Sequence, residues 1–282
     1  MPRFRLMVLV SLAMLAFAGN SLLCRMALKH TSIDAASFTT VRLVSGACML
    51  WLVVRVKGSS GGAGNWWSAA ALFVYAAAFS FAYISMSAAT GALLLFGAVQ
   101  ATMIGYGVYQ GERLRTPQLA GFALALAGLV ALMLPGLAAP SLISSLSMLS
   151  AGVAWGVYSL RGKRAASQGM ADPTCVTAGN FMRAVPMALV LSLLMFSHWS
   201  LDPAGIGFAV LSGALASGLG YAIWYQALPA LKATHAATVQ LSVPVIAAIG
   251  GVAFIGEEVS LLLVLASCAI LGGIALVILE KK

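Results

Sequence analysis

The chain reads as an all-α integral membrane protein, with ten transmembrane helices arranged as two inverted five-helix repeats around a central cavity. Of 282 residues, 61% are hydrophobic and 8% charged, against about 25% charged in an ordinary soluble domain. That excludes a soluble globular class. Apolar stretches of membrane-spanning length recur from one end to the other, so lipid is the expected solvent throughout. The same Gly-Glu step also ends two long uncharged runs, in Val108–Leu114 "VYQGERL" and in Ala253–Val259 "AFIGEEV", 145 residues apart (112 to 257).

With about 20 residues needed to cross a bilayer, the spans fall in order. The first twenty residues imitate a secretory signal, with Arg3 and Arg5, an apolar run, then Ala16-Phe17-Ala18. The run continues through "SLLCRMAL", which predicts an uncleaved first span, Leu6–Met26. The second, Ser37–Val56, runs into the flexible linker Val56–Asn65, "VKGSSGGAGN". The third, Trp67–Ser87, opens on the interface anchors Trp66 and Trp67, and the fourth, Thr90–Tyr109, ends at the first Gly-Glu corner. Gln118–Leu134, Leu142–Leu160, Thr174–Phe196, Ile206–Leu228, Thr234–Phe254 and Leu261–Leu279 complete the ten. Connections are too short for a soluble domain, and the 29 glycines, with many Ala and Ser, suit helices that approach closely in lipid.

The net charge of +9 comes in ones, twos and threes between apolar spans rather than in one patch. This disfavours nucleic acid as a partner and fits the orientation rule of membrane proteins. With the N-terminus inside, Arg3, Arg5, Arg55, Lys57, Arg113, Arg115, Arg161, Lys163, Arg164, Lys232, Lys281 and Lys282 are cytoplasmic, twelve of the sixteen basic residues. Only Arg25 and Lys29 are outside, so both termini are expected in the cytoplasm. Cys24, Cys48, Cys175 and Cys268 lack metal-ligand spacing and read as small buried hydrophobes, with no metal or cofactor implied.

Sliding the chain by 145 residues places Gly111-Glu112 on Gly256-Glu257, Ile104-Gly105 on Ile249-Gly250, and "LALAGLVAL" on "AILGGIALV". Residues 1–137 and 138–282 then form two repeats. Five spans is an odd number, so the second repeat crosses in the opposite sense, the device by which many secondary transporters place a site at the midplane. This puts Glu112 on the cytoplasmic side and Glu257 and Glu258 outside.

Ten spans as five plus five, "GERL" and "GEEV" at equivalent corners, Pro244 thirteen residues before Glu257, and arginines in the second span of each half, Arg42 and Arg183, resemble the drug/metabolite transporter superfamily in its EamA-type branch. Within it the chain looks like the YddG-type exporters of aromatic amino acids in bacterial inner membranes. The resemblance implies a basket of helices, its cavity lined mainly by the third, fourth, eighth and ninth, with the first and sixth contributing. Val99 stands where the second half has Pro244, so the fourth helix need not bend as the ninth does.

Glu112, Glu257 and Glu258 at span ends read as boundary charges rather than proton carriers, and no acid falls at mid-span. That favours uncoupled, facilitated movement. His235 is the remaining titratable candidate. Arg42 and Arg183, costly within spans, are expected in structural or gating ion pairs with the acids at their own ends, Glu257 and Glu112; direct binding of a substrate carboxylate is the minor alternative.

Aromatic stripes recur at helical spacing: Tyr75, Phe79 and Tyr83; Trp155 and Tyr158; Tyr221, Trp224 and Tyr225. Their polar companions are Asn20, Ser80, Gln100, Asn180, Gln240 and Ser242, more often interhelical bonds than ligand contacts. The candidate substrate pocket is Tyr75, Phe79, Tyr83, Gln100, Trp155, Tyr158, Trp224 and Gln240, with Asn20 and His235 as lesser members. It suits amino acids with aromatic or other large apolar side chains, carried by a monomer working by alternating access. Cationic-drug pumps of the superfamily use a first-span glutamate where this chain has Asn20, and no enzyme motif is present. Three alternatives stay open: a proton-coupled exporter of another metabolite or drug, a lipid-modifying enzyme, and a non-transporting protein whose centre is filled with side chains.

Overall fold

The computed structural model describes residues 2–58, 63–111, 113–133, 140–167, 172–231 and 239–279. They form helices α1 (Arg3–His30), α2 (Ala35–Val56), α3 (Trp66–Tyr83), α4 (Ala88–Tyr109), α5 (Thr116–Met133), α6 (Leu142–Ser167), α7 (Pro173–Leu194), α8 (Pro203–Ala227), α9 (Ser242–Ile255) and α10 (Leu261–Leu279). Among the described residues nine helices are long and apolar enough to cross a membrane, and α9 is a shorter apolar one. Its expected start at Thr234 lies outside the described residues.

The chain is turned inside out relative to a soluble protein. Leu193, Leu194, Ile249, Phe254, Leu261 and Leu265 are exposed, while Asn20, Arg42, Gln100 and Asn180 are buried. Lipid contact explains both, and the chain is a multi-pass membrane protein. Cys24 and Cys175 are buried as expected, but Cys48 and Cys268 are exposed on their helices, a correction to the reading of all four as buried. Apolar surroundings on the outside accept a thiol as readily as the core does.

Helix starts follow from side-chain caps. Asn65 accepts from the Ser68 amide at 2.9 Å, and Asp172 from Thr174 at 2.7 Å with Pro173 in the first turn. α4 and α9 both run into a glycine of left-handed conformation, Gly111 (φ 94) and Gly256 (φ 66), which explains why each Gly-Glu corner needs its glycine. α8 departs from regular geometry: Leu211–Leu219 is π-helical. Within it Gly213 lies so close to α2 that a Cβ would run into Ser45 Oγ and the Arg42 carbonyl.

α2 packs against α7 and α8, α3 and α4 against α6, α1 against α8 and α9, and α5 against α10. The end where α1 begins is here called proximal, the opposite end distal. At the distal end two aspartates cap and cross-link at once. Asp34 accepts from the Ala36 and Ser37 amides at 3.0 and 2.9 Å and from Ser200 N at 3.1 Å. Asp202 accepts from Gly205 N at 2.9 Å, and from Ser32 N and Oγ at 3.0 and 3.3 Å.

The Gly205 N–H, helped by Thr31 and Ser32, holds the Asp202 carboxyl below its ordinary value of 3.8. A lowered value stabilises the fold above the ordinary value and is lost as pH falls through the folded one. Asp202→Ala is therefore expected to melt earlier than the native chain at neutral pH, with the difference closing as pH drops below 3.8. Melting curves in detergent check this, and a difference that ignores pH speaks against the assignment.

Candidate functional site

Nine rings from five helices, α1, α3, α6, α7 and α8, meet at the centre. Phe79 bridges Tyr83 (centroids 4.7 Å apart) and Tyr75 (5.4 Å), and Tyr75 lies 4.9 Å from Trp155. Trp155 continues to Tyr221 at 4.8 Å and Tyr158 at 5.5 Å, while Phe17 sets its edge against Trp155, Tyr221 and Trp224. Phe181 closes the set against Tyr221 at 5.8 Å. Edge-to-face and tilted pairs of this kind fit the ring quadrupoles and add stability beyond burial. Between the rings lies a cavity of about 10 Å³, lined by Phe17, Asn20, Tyr75, Phe79, Leu95, Phe96, Trp155 and Tyr221. That is room for about one water.

Behind the Tyr75 and Phe79 rings is Arg42, 1% exposed, its guanidinium carbon 5.1 and 4.9 Å from their centroids. Its Nη2 donates to the Tyr75 hydroxyl at 3.0 Å and its Nε to Ser217 Oγ at 3.2 Å. The same Tyr75 oxygen accepts from Asn20 Nδ2 at 3.1 Å and Tyr221 OH at 3.3 Å, and Asn20 Oδ1 accepts from Ser212 Oγ at 2.6 Å.

Among the described residues the distal end carries one ion pair. Arg25 Nε meets Glu257 Oε1 at 2.9 Å, with the two side chains only 12% and 8% exposed. Arg25 Nη1 also donates to the Tyr83 and Ile84 carbonyls at 3.0 Å each, and Glu257 Oε2 accepts from Ala88 N at 2.8 Å. Four elements are joined there: α1, the end of α3, the start of α4 and the α9–α10 corner.

At the proximal end the described residues form two recesses. A pocket of about 30 Å³ is lined by Asn65, Ser68, Tyr158, Arg161, Thr177, Asn180, Tyr225 and neighbours. Arg161 donates to Ser68 Oγ and Asn65 Oδ1 at 3.0 Å each, and Asn180 Nδ2 to the Tyr158 hydroxyl at 3.4 Å. A wider groove of about 490 Å³ adjoins it, lined by Asn65, Tyr106, Val157, Leu160, Arg161, Arg164 and Ala165. Tyr158, stacked on Trp155, forms the wall between this pocket and the centre.

Of the expected pocket residues, Tyr75, Phe79, Trp155 and Asn20 line the central cavity. Tyr83 lies distal to it, its hydroxyl donating to the Ala88 carbonyl at 3.3 Å, and Tyr158 belongs to the proximal pocket. Trp224 backs Phe17, and Gln100 is buried with Nε2 unpartnered. Gln240 is buried away from the lining, and His235 lies outside the described residues. Among the described residues α9 adds nothing to this lining, contrary to expectation; it packs on α1 and α4, which supply Phe17, Asn20, Leu95 and Phe96 instead.

The expected ion pairs are corrected as well. Among the described residues no carboxylate reaches Arg42, and Glu257 pairs with Arg25 instead. Arg42 lies seven residues inside α2 (35 to 42), roughly 10 Å too deep for a corner acid. Glu257, read as a water-facing boundary charge, is mostly enclosed, while Glu258 is exposed. Arg183 donates to the Ala63 and Gly179 carbonyls at 3.0 and 2.9 Å, and its expected partner Glu112 lies outside the described residues. Phe17, Leu95 and Phe96 lie outside the expected set; Phe17, three residues before Asn20 and so on its face of α1, carries the clearest signal of the three.

Residues 142–279 match the family of EamA-like transporters. An uncharacterized protein of Pseudomonas aeruginosa is 55% identical over 283 residues, covering 100% of this chain and 97% of its own. The threonine/homoserine exporter RhtA of Salmonella typhimurium is 36% identical over 126 residues, 44% of this chain and 41% of that protein. One solved protein crystal structure superposes with a TM-score of 0.66 at 20% identity, covering 98% of this chain and 96% of that one, a likeness of fold.

Proposed function

From the match of residues 142–279 to the EamA-like transporter family, we propose that the chain is a transporter of that family and exports amino acids with aromatic or other large apolar side chains across the bacterial inner membrane. The observation that carries this reading is the central cluster: rings on all sides, with the Asn20 amide and the Tyr75 and Tyr221 hydroxyls among them, and no carboxylate in the lining. A substrate ring would replace part of the resident stacking. With room for about one water, the rings must part to admit it, so binding and opening are one event.

The proposed mechanism is alternating access between two inverted repeats, 1–137 and 138–282, acting as a monomer with both termini cytoplasmic. Its support is the pairing of helices. Exchanging the halves returns the α2–α7 and α5–α10 contacts onto themselves, and turns α3–α6 into α8–α1 and α4–α6 into α9–α1. Gly111 and Gly256 share their left-handed corner. The proximal end, here cytoplasmic, is where solute enters, and the Arg25–Glu257 pair closes the outer side. No acid of the described residues sits at mid-helix, and this supports uncoupled movement.

A second reading, export of smaller hydroxylated amino acids, is favoured by the partial match to the threonine/homoserine exporter. Flux of each amino acid from proteoliposomes, with and without a pH gradient, separates the two. Phenylalanine and tryptophan are expected to move at rates that ignore the gradient. Movement of threonine and homoserine alone would install the second reading, and a strict proton requirement would overturn the uncoupled one.

A further inference from the structure

We propose that Arg42 is the anchor for a substrate carboxylate and that the Tyr75 hydroxyl holds its place while the centre is closed. This rests on the reading that the chain carries amino acids through its aromatic centre, and it names the group by which they are held.

The reasoning begins with a count of donors and acceptors. A guanidinium keeps its charge at any physiological pH and offers five N–H groups. Arg42, 1% exposed, finds two acceptors, Ser217 Oγ at 3.2 Å and Tyr75 OH at 3.0 Å, and its Nη1 has none. The rings of Tyr75 and Phe79 offset part of the charge. No carboxylate does so, since the one ion pair among the described residues is at the distal corner. A buried cation so placed normally finds an anion, because desolvation without a partner is costly.

Tyr75 sharpens the case. Its oxygen has two lone pairs yet receives Arg42 Nη2, Asn20 Nδ2 and Tyr221 OH. The group is rich in donors and short of acceptors, the complement of a carboxylate, which brings two oxygens and about four lone-pair sites. Its fork also matches the guanidinium, two N–H groups to two oxygens. Tyr75 and Phe79 line the cavity and cover Arg42 at once. Turning the Tyr75 ring aside therefore opens a path from the cavity to Nη1 and Nη2, and the incoming carboxylate takes the donors that the hydroxyl gives up. An amine without a carboxylate meets only repulsion there.

The test measures binding to the purified full-length protein by competition and melting shift, using L-phenylalanine, 3-phenylpropionate, L-phenylalaninamide, phenethylamine, leucine, threonine and the amides of the last two. Native protein is expected to prefer each acid over its amide or amine by roughly 10- to 100-fold. Arg42→Gln removes that preference, and Arg42→Lys, which keeps charge but not the fork, retains part of it. Equal binding of phenylalanine, its amide and phenethylamine by the native chain overturns the proposal without any variant having to fold. So does a folded Arg42→Gln that still prefers the acids. Should leucine and threonine bind in an Arg42-dependent way while aromatic ligands do not, the aromatic reading fails and the carboxylate anchor stands.

Discussion

Arg25→Ala and Glu257→Ala each lower the melting temperature of the detergent-solubilised protein, and the double variant melts little below either one. The coupling expected is on the order of 2 kcal/mol, below the ~3–5 kcal/mol for breaking a fully buried pair, because some exposure remains. Each partner left alone faces a site built for it: Arg25 binds two carbonyls besides the acid, and Glu257 also caps the Ala88 amide. For that reason exchanging the charges, Arg25→Glu with Glu257→Arg, does not restore the native melting point. The new glutamate would face the Tyr83 and Ile84 carbonyls, and the new arginine the Ala88 N–H. Melting curves of the four chains decide, and additive losses would mean the pair contributes nothing as a pair.

Trp155→Ala is expected to have the larger effect on binding. It removes four ring contacts, to Phe17, Tyr75, Tyr158 and Tyr221. Truncating such a side chain costs about 3–5 kcal/mol of stability. It also removes the ring that Tyr158, the wall between the central cavity and the proximal pocket, rests on, so water gains the centre. Trp155→Phe keeps a ring there and should fall between. Melting curves and phenylalanine flux in proteoliposomes check both, and near-native flux in Trp155→Ala would remove the stack from the binding site.

Where most helices begin and end was legible to within a few residues because caps, corner glycines and charges are local signals, though α6 runs on to Ser167, past the expected Leu160. Asn65, Asp172 and Gly256 each act within one turn of where they stand. Which way a helix faces was harder to read. In water an apolar stripe marks the core, whereas in lipid the outer face is as apolar as the inner, so α4 and α10 carry little contrast around their circumference. Phe17 could be found only through its spacing to Asn20, and Tyr221, read within its stripe, had nothing to set it above Trp224. Partner choice failed on depth. Arg42 and Glu257 belong to the same end of the bundle, but Arg25, at the last turns of α1, is the arginine at the height of the acid. The π-helical stretch of α8 left no trace beyond the glycines and small residues of "LSGALASGL".

The two aspartates at the distal corners give that end an uneven seam. Asp34 ties the start of α2 to Ser200, and Asp202 ties the start of α8 back to Ser32, with Asp34 N also donating to the Ser200 carbonyl at 3.1 Å. On that flank the corners are stitched by several short bonds from backbone amides and a hydroxyl to the two carboxylates, with no cation among the donors. Across the bundle the seam among the described residues hangs on the Arg25–Glu257 pair, with Lys29 Nζ adding one long bond to the Ile255 carbonyl at 3.4 Å. The cheapest way to part this end is therefore to leave the stitched flank as a spine and swing the other open, like a cover on its binding.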